Sequence, residues 1–177
     1  MRKVILLLVA SAIAGPAAAQ RADEMEAGVY RAVIQQHGSL SAAIVFRTIE
    51  DGDLCWTKLV STECISASEK AEFGAAVTDF LKRNPMPQKG TFSEETLKLT
   101  GVPVSDTITH NCSATHFGFS RAGFDPSYRV AVVRYTATIG MGGGVLHCGS
   151  REAGTYLLKR NGNEWSIVRR VAGTVRP

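Results

Sequence analysis

Cysteine and histidine are the side chains of this sequence best suited to covalent chemistry. His147 adjoins Cys148, and His110 and His116 flank Cys112. A nucleophilic cysteine needs a thiolate, a base within reach and access to substrate. Neighbouring residues on a strand point to opposite faces, so His147 is poorly placed to activate Cys148. His110 and Cys112, two apart, share a face if their segment is extended. Zinc is a second option, because ligands separated in sequence can converge in a fold. The chain has neither a Cys-x-x-Cys pair nor a His-Glu-x-x-His helix, the spacings that hold zinc from one local element. The plainer expectation is that His110 and His116 are partly exposed strand residues.

Other patterns fall short of a motif. Gly118 to Gly123 around Ser120 is one residue longer than a nucleophile elbow and lacks the following helix, so it reads as a turn. Gly140, Gly142, Gly143 and Gly144 lack the lysine and Ser/Thr of a phosphate-binding loop. This glycine-rich stretch still suits a loop over a ligand, since loops on rigid scaffolds carry function. Arg134, Tyr135, Met141, His147 and Arg151 are the residues placed to line such a binding site. Glu50, Asp51 and Asp53 lack the remaining ligands of a calcium loop and read as turn chemistry. No catalytic residue, metal ligand or cofactor is assigned.

The meaning of the cysteines depends on compartment. Arg2 and Lys3 precede an apolar run, Val4 to Ile13, and Ala17-Ala18-Ala19 matches a small-residue cleavage site. Residues 1–19 therefore read as an export signal, and residues 20–177 as a single domain acting in the periplasm or outside the cell. The apolar run is half the roughly twenty residues a spanning helix needs, and no later segment is longer, so no transmembrane segment is expected after the cut. All four cysteines lie beyond the cut. An even count in an oxidising compartment reads as two disulfides, and Cys55–Cys64 with Cys112–Cys148 is the expected pairing. Each would contribute roughly 2–4 kcal/mol.

Charge gives little direction. Without Arg2 and Lys3 the 20 basic residues become 18, against 16 acidic ones. That net of +2 is too small to argue for nucleic acid. Lys159, Arg160, Arg169, Arg170 and Arg176 concentrate near the C-terminus. They read as a solvated sheet face rather than an anionic-ligand patch.

These residues need elements to hold them. Arg21 to His37 reads as a helix, because Met25, Val29, Val33 and His37 recur every four residues beside Tyr30 and Ile34. Ser66 to Asn84 is the clearest helix: Ser66 and Glu69 form a capping box, Phe73, Ala76, Val77, Phe80 and Leu81 form the buried stripe, and Pro85 ends it. A short helical turn is expected after Ser93. Ala42 to Glu50 and Asp53 to Val60 read as a hairpin across Asp51-Gly52. Later strands are Thr115 to Ser120, Tyr128 to Ile139 (apolar on both alternations, hence covered on both faces), Thr155 to Arg160 and Asn163 to Val171. The last two flank an Asn161-Gly162 turn, and Trp165, Ile167 and Val171 should share a face. At 45% hydrophobic residues the chain can build a core. Helices early and strands late predict an α+β fold, with two helices of the N-terminal half packed on a curved antiparallel sheet that ends in a β-meander.

The cadence Phe119-Ser120, Gly123-Phe124, Ala131 through Tyr135, Cys148-Gly149, Gly154, Leu157-Leu158-Lys159, Gly162 and Trp165 resembles a group of exported bacterial proteins of no assigned activity, with a C-terminal antiparallel sheet. The likeness covers roughly the last third of the chain. It implies export and the fold class and carries over no site. The functional expectation is a binding domain for a small molecule or a protein partner, without covalent chemistry. The alternative is a periplasmic or secreted hydrolase using His or Cys residues of the C-terminal half.

Overall fold

The computed structural model describes residues 16–38, 42–45, 65–84, 94–105, 115–138 and 151–172. Among them the order is α1 (Pro16–Gln36), β1 (Ala42–Val45), α2 (Ala67–Arg83), α3 (Glu94–Lys98), β2 (Val104–Ser105), β3 (Thr115–Phe119), β4 (Gly123–Phe124), β5 (Val130–Thr138), β6 (Arg151–Asn161) and β7 (Glu164–Ala172). The fold is α+β, with the helices in the N-terminal half and most strands of an open curved sheet in the C-terminal half.

The sheet order is β2-β1-β3-β5-β6-β7, with β4 also on β5. From β3 onward every pairing is antiparallel. At the other edge β1 lies parallel to both β2 and β3, so the sheet is mixed. The second half of the expected hairpin, Asp53 to Val60, lies outside the described residues, as do all four cysteines and both expected disulfides.

Each helix covers one face. Val29, Tyr30, Val33 and Ile34 of α1 pack with Phe117, Phe119, Ala131, Val133, Tyr135 and Leu158. Phe73, Ala76, Val77 and Phe80 of α2 pack on the opposite face with Val130, Val132 and Leu157. Alternate residues of β5 therefore enter different clusters, which is why this strand is apolar on both alternations. The capping box of α2 forms as its sequence dictates: the Ser66 N–H donates to the Glu69 carboxylate at 2.7 Å and the Glu69 N–H to the Ser66 hydroxyl at 3.3 Å. α2 approaches β4 so closely that a Cβ on Gly123 would lie 2.3 Å from the Phe80 nitrogen and 2.4 Å from the Ala76 carbonyl.

One expectation fails for an identifiable reason. Leu157 pairs with Arg169 but Leu158 pairs with Ile167, so Val168 is an extra, unpaired residue. Such a bulge reverses the in–out alternation beyond it. Trp165 and Ile167 join the α1 cluster, while Val171 joins the α2 cluster. The turn after β4 carries a second irregularity: Tyr128 takes φ +55°. The Asp125 carboxylate braces it, accepting from the N–H groups of Arg129 at 2.6 Å and Val130 at 2.8 Å.

Candidate functional site at the end of helix α1

Of the five residues expected to line a binding site, the structure describes the side chains of Arg134 and Tyr135. Met141 and His147 lie outside the described residues, and Arg151 is described only as the backbone partner of Thr138. Arg134 and Tyr135 are consecutive on β5 and therefore face opposite sides of the sheet. Both are buried, at 3% and 0% exposure. Ser120 is buried as well, its hydroxyl accepting the Arg134 N–H at 2.9 Å and tying β3 to β5. His116 is a correction: at 4% exposure it is interior, because β3 is flanked by β1 and β5 and covered on its faces. His110 lies outside the described residues.

Tyr135 belongs to a different constellation, on the α1 face. α1 ends where its apolar stripe reaches His37. The imidazole Nδ1 lies 3.0 Å from Glu152 Oε1 on β6. Its Nε2 lies 3.3 Å from the hydroxyl of Tyr156, four residues further along the same strand and on the same side. The Tyr135 hydroxyl donates to Glu152 at 3.4 Å. Arg170 of β7 donates to the other Glu152 oxygen at 3.0 Å, with its guanidinium 5.6 Å from the centre of the Tyr135 ring. Tyr135 and Tyr156 stack at 4.7 Å, and His37 stands edge-on to Phe117 at 5.3 Å.

Strand periodicity explains the convergence. Val133 pairs with Tyr156, Tyr135 with Gly154 and Ala137 with Glu152, so these side chains form two rows on one face. Gly154 opposite Tyr135 leaves the phenol room, and a Cβ there would lie 3.2 Å from that ring. Tyr156 pairs with Arg170, which completes the row on β7.

Burial is graded across this cluster. The phenols are interior, at 0% for Tyr135 and 3% for Tyr156. The side chain of His37 is 12% exposed, that of Glu152 27% and that of Arg170 40%. Burial lowers the imidazole pKa below its ordinary value, the Glu152 charge opposes that shift, and Arg170 adds to it. Burial, then the hydrogen bond to Tyr156 and the charge of Glu152, raise the Tyr135 phenol far above its usual range, so it stays protonated. The imidazole, the two phenols and one outward-facing ion pair make a preorganised polar surface. Among the described residues no group of three or more His, Cys, Asp or Glu side chains is close enough to hold a metal ion.

A second polar cluster lies on the same helix, eleven residues earlier and so about 16 Å away along the axis. The Glu26 carboxylate is fully buried. It accepts from the Ala122 N–H at 2.7 Å and from Arg121 Nη2 at 2.8 Å, with Arg83 Nη2 at 3.5 Å. The Tyr30 hydroxyl is 2.8 Å from it and 2.9 Å from the Ser120 carbonyl. Burial and then the adjacent Glu26 charge raise the Tyr30 phenol well above its ordinary pKa. This carboxylate is saturated with donors and closed to solvent. It joins α1, α2 and the β3–β4 connection.

His37 is visible in the sequence as the end of a helical stripe, but nothing local marks its partners. The β6 strand starts at Arg151, four residues before the apolar run suggests, and that extension puts Glu152 on the ladder. The basic residues near the C-terminus prove to be largely neutralised: Lys159 pairs with Glu72 at 2.6 Å, Arg169 with Glu69, and Arg170 with Glu152. Arg176 lies outside the described residues. No family model matches this chain, and no curated protein and no solved structure matches it either.

Proposed function

We propose that this chain is an exported domain that binds a small zwitterionic ligand through Glu152 and Arg170, without covalent chemistry. The observation that carries this reading is the graded cluster at the end of α1. Its two outermost groups are opposite charges, and the aromatic and imidazole side chains behind them are held by one another. An exposed ion pair is worth at most about 1 kcal/mol, so a ligand loses little by separating it. A ligand ammonium then meets Glu152 and a ligand carboxylate meets the planar fork of Arg170. Both nitrogens of His37 are engaged, which suits a bracing role.

Export is supported by Arg2, Lys3, the apolar run and the alanine triplet. The first described core residues are Glu26 and Ala27, so a cut before Gln20 removes none of them. Among the described residues no helix is long and apolar enough to cross a membrane. Amino-terminal sequencing of the exported chain should begin at Gln20.

The binding test is a calorimetric titration with free amino acids and dipeptides. At least one should bind saturably to the unaltered chain and lose about tenfold in affinity in both Glu152→Gln and Arg170→Gln. No binding by any member, or an affinity unchanged from the unaltered chain in either variant, overturns the reading.

A specific observation favours a second reading. A carboxylate 3.0 Å from Nδ1 is the arrangement that orients a histidine for proton transfer, with Tyr156 on the other nitrogen as the relay. That reading requires turnover of a model ester that disappears in His37→Asn and shows an apparent pKa below the ordinary histidine value.

A further inference from the structure

The partnered basic residues leave one exception. Arg160 follows Lys159 directly, yet among the described residues it has no carboxylate partner and instead donates to the Asn163 side chain at 3.1 Å. Its Nε is buried and makes no hydrogen bond. Arg160 lines an open cleft of about 630 Å³ between α1 and the β6–β7 hairpin. The opposite wall carries Arg21 and Arg31 of α1, with Glu24 as the only acidic residue among the described residues of the lining. Among the described residues none of these three guanidiniums forms an ion pair. Arg21 stacks on Tyr128, its guanidinium 5.9 Å from the ring centre.

The floor of this cleft is built to be narrow. Gly28 lets the Trp165 indole rest against the helix backbone; a Cβ there would lie 2.9 Å from the ring and 4.0 Å from Arg31 Nη2. Arg31 lies on the α1 wall of the cleft, across from Arg160 of the hairpin.

From this geometry we infer a binding site for a phosphate monoester group in the Arg21–Arg31–Arg160 cleft. Three guanidinium forks offer more donors than one carboxylate can accept. A phosphate monoester presents three terminal oxygens and close to two negative charges at neutral pH, and guanidinium forks match such oxygens bidentately. The single carboxylate, Glu24, leaves the cleft with an excess of two positive charges to be neutralised. The cleft runs along α1 from Gln20 to Arg31, shares no residue with the His37 cluster and does not rest on the function proposed for that cluster.

The test is calorimetric titration of the full chain with inorganic phosphate and glycerol phosphate at constant ionic strength. Saturable binding is expected, weakened about tenfold by Arg160→Gln and by Arg31→Gln. Arg169→Gln removes an equal charge from an already paired position and should leave binding unchanged. Co-sedimentation with phosphatidic acid vesicles, compared with phosphatidylcholine vesicles, separates a lipid headgroup from a free ester. Binding only to phosphatidic acid assigns the group to a lipid, and binding only to the free esters assigns it to a diffusible ligand. Absence of binding in both arms overturns the inference. So does equal loss in Arg169→Gln, which marks a general charge effect.

Discussion

Helix α1 carries two acidic–aromatic clusters, and they differ in almost every respect that matters for use. At Glu26 the carboxylate is fully enclosed and held by a backbone N–H, two arginines and a phenol. At His37 the carboxylate of Glu152 is a quarter exposed and its cation partner more so. The residue types are nearly the same. What differs is how far each set is withdrawn from water, and that alone separates a lock from a surface that can exchange partners. A buried charge cannot be released to meet a ligand without a large desolvation penalty, whereas an exposed one can.

The largest expected effect tests that difference directly. Glu26→Ala leaves Arg121 and Arg83 facing a buried gap and should cost about 3–5 kcal/mol in urea unfolding. Glu152→Ala should cost no more than about 1 kcal/mol. Equal losses would dissolve the distinction.

Next in size is Gly123→Ala, beside the enclosed cluster. The added methyl group meets helix backbone rather than a flexible side chain. A loss of about 3 kcal/mol is expected in the same unfolding measurement. A loss below half of that would show that α2 slides freely over β4.

A smaller effect concerns pH at the exposed end. His37 has a lowered pKa when folded, so the native state holds fewer protons than the unfolded chain once pH falls below about 6.5. Its contribution is complete above that value and is lost as the medium acidifies through the folded pKa. His37→Gln should cost about 1 kcal/mol at pH 8 and should flatten the melting-temperature profile on the acid side. An unchanged profile would remove His37 from the proton balance.

The smallest effect lies on the opposite face. Arg169 donates to Glu69, and this bond, followed by the bonds from Ser66, lowers the carboxyl to about 2. The stability it gives is present above the ordinary carboxyl value of 4.5 and is lost as pH falls toward 2. Arg169→Ala should narrow that acid window and cost under about 1 kcal/mol at neutral pH, read from thermal melts across the range.

Local chemistry made some of this architecture readable in advance. The capping box and stripe of α2 state its limits almost to the residue, because caps and periodicity act within one turn. Asn161-Gly162 marks the last hairpin for the same reason, with Gly162 at φ +60°. The Val168 bulge carries no residue signature, and its effect on Val171 shows only once the ladder is built. Of the candidate site, His37 and Tyr135 were singled out in the sequence, but not as neighbours. His37 closes an apolar stripe, but Glu152, Tyr156, Tyr135 and Arg170 reach it through strand pairing over long sequence separations. The partners of Arg169 and Arg170, which turn a basic run into closed ion pairs, were invisible for the same reason.

The placement of β1 has a kinetic consequence. Its neighbours Thr115 to Phe117 and Val104 to Ser105 are translated long after it. A nascent chain emerging from the ribosome therefore has nothing to close that edge of the sheet until its third quarter is made. Contacts so distant in sequence come with a high closure entropy and slow acquisition of structure. That edge of the sheet is therefore one of the later parts of the fold to assemble.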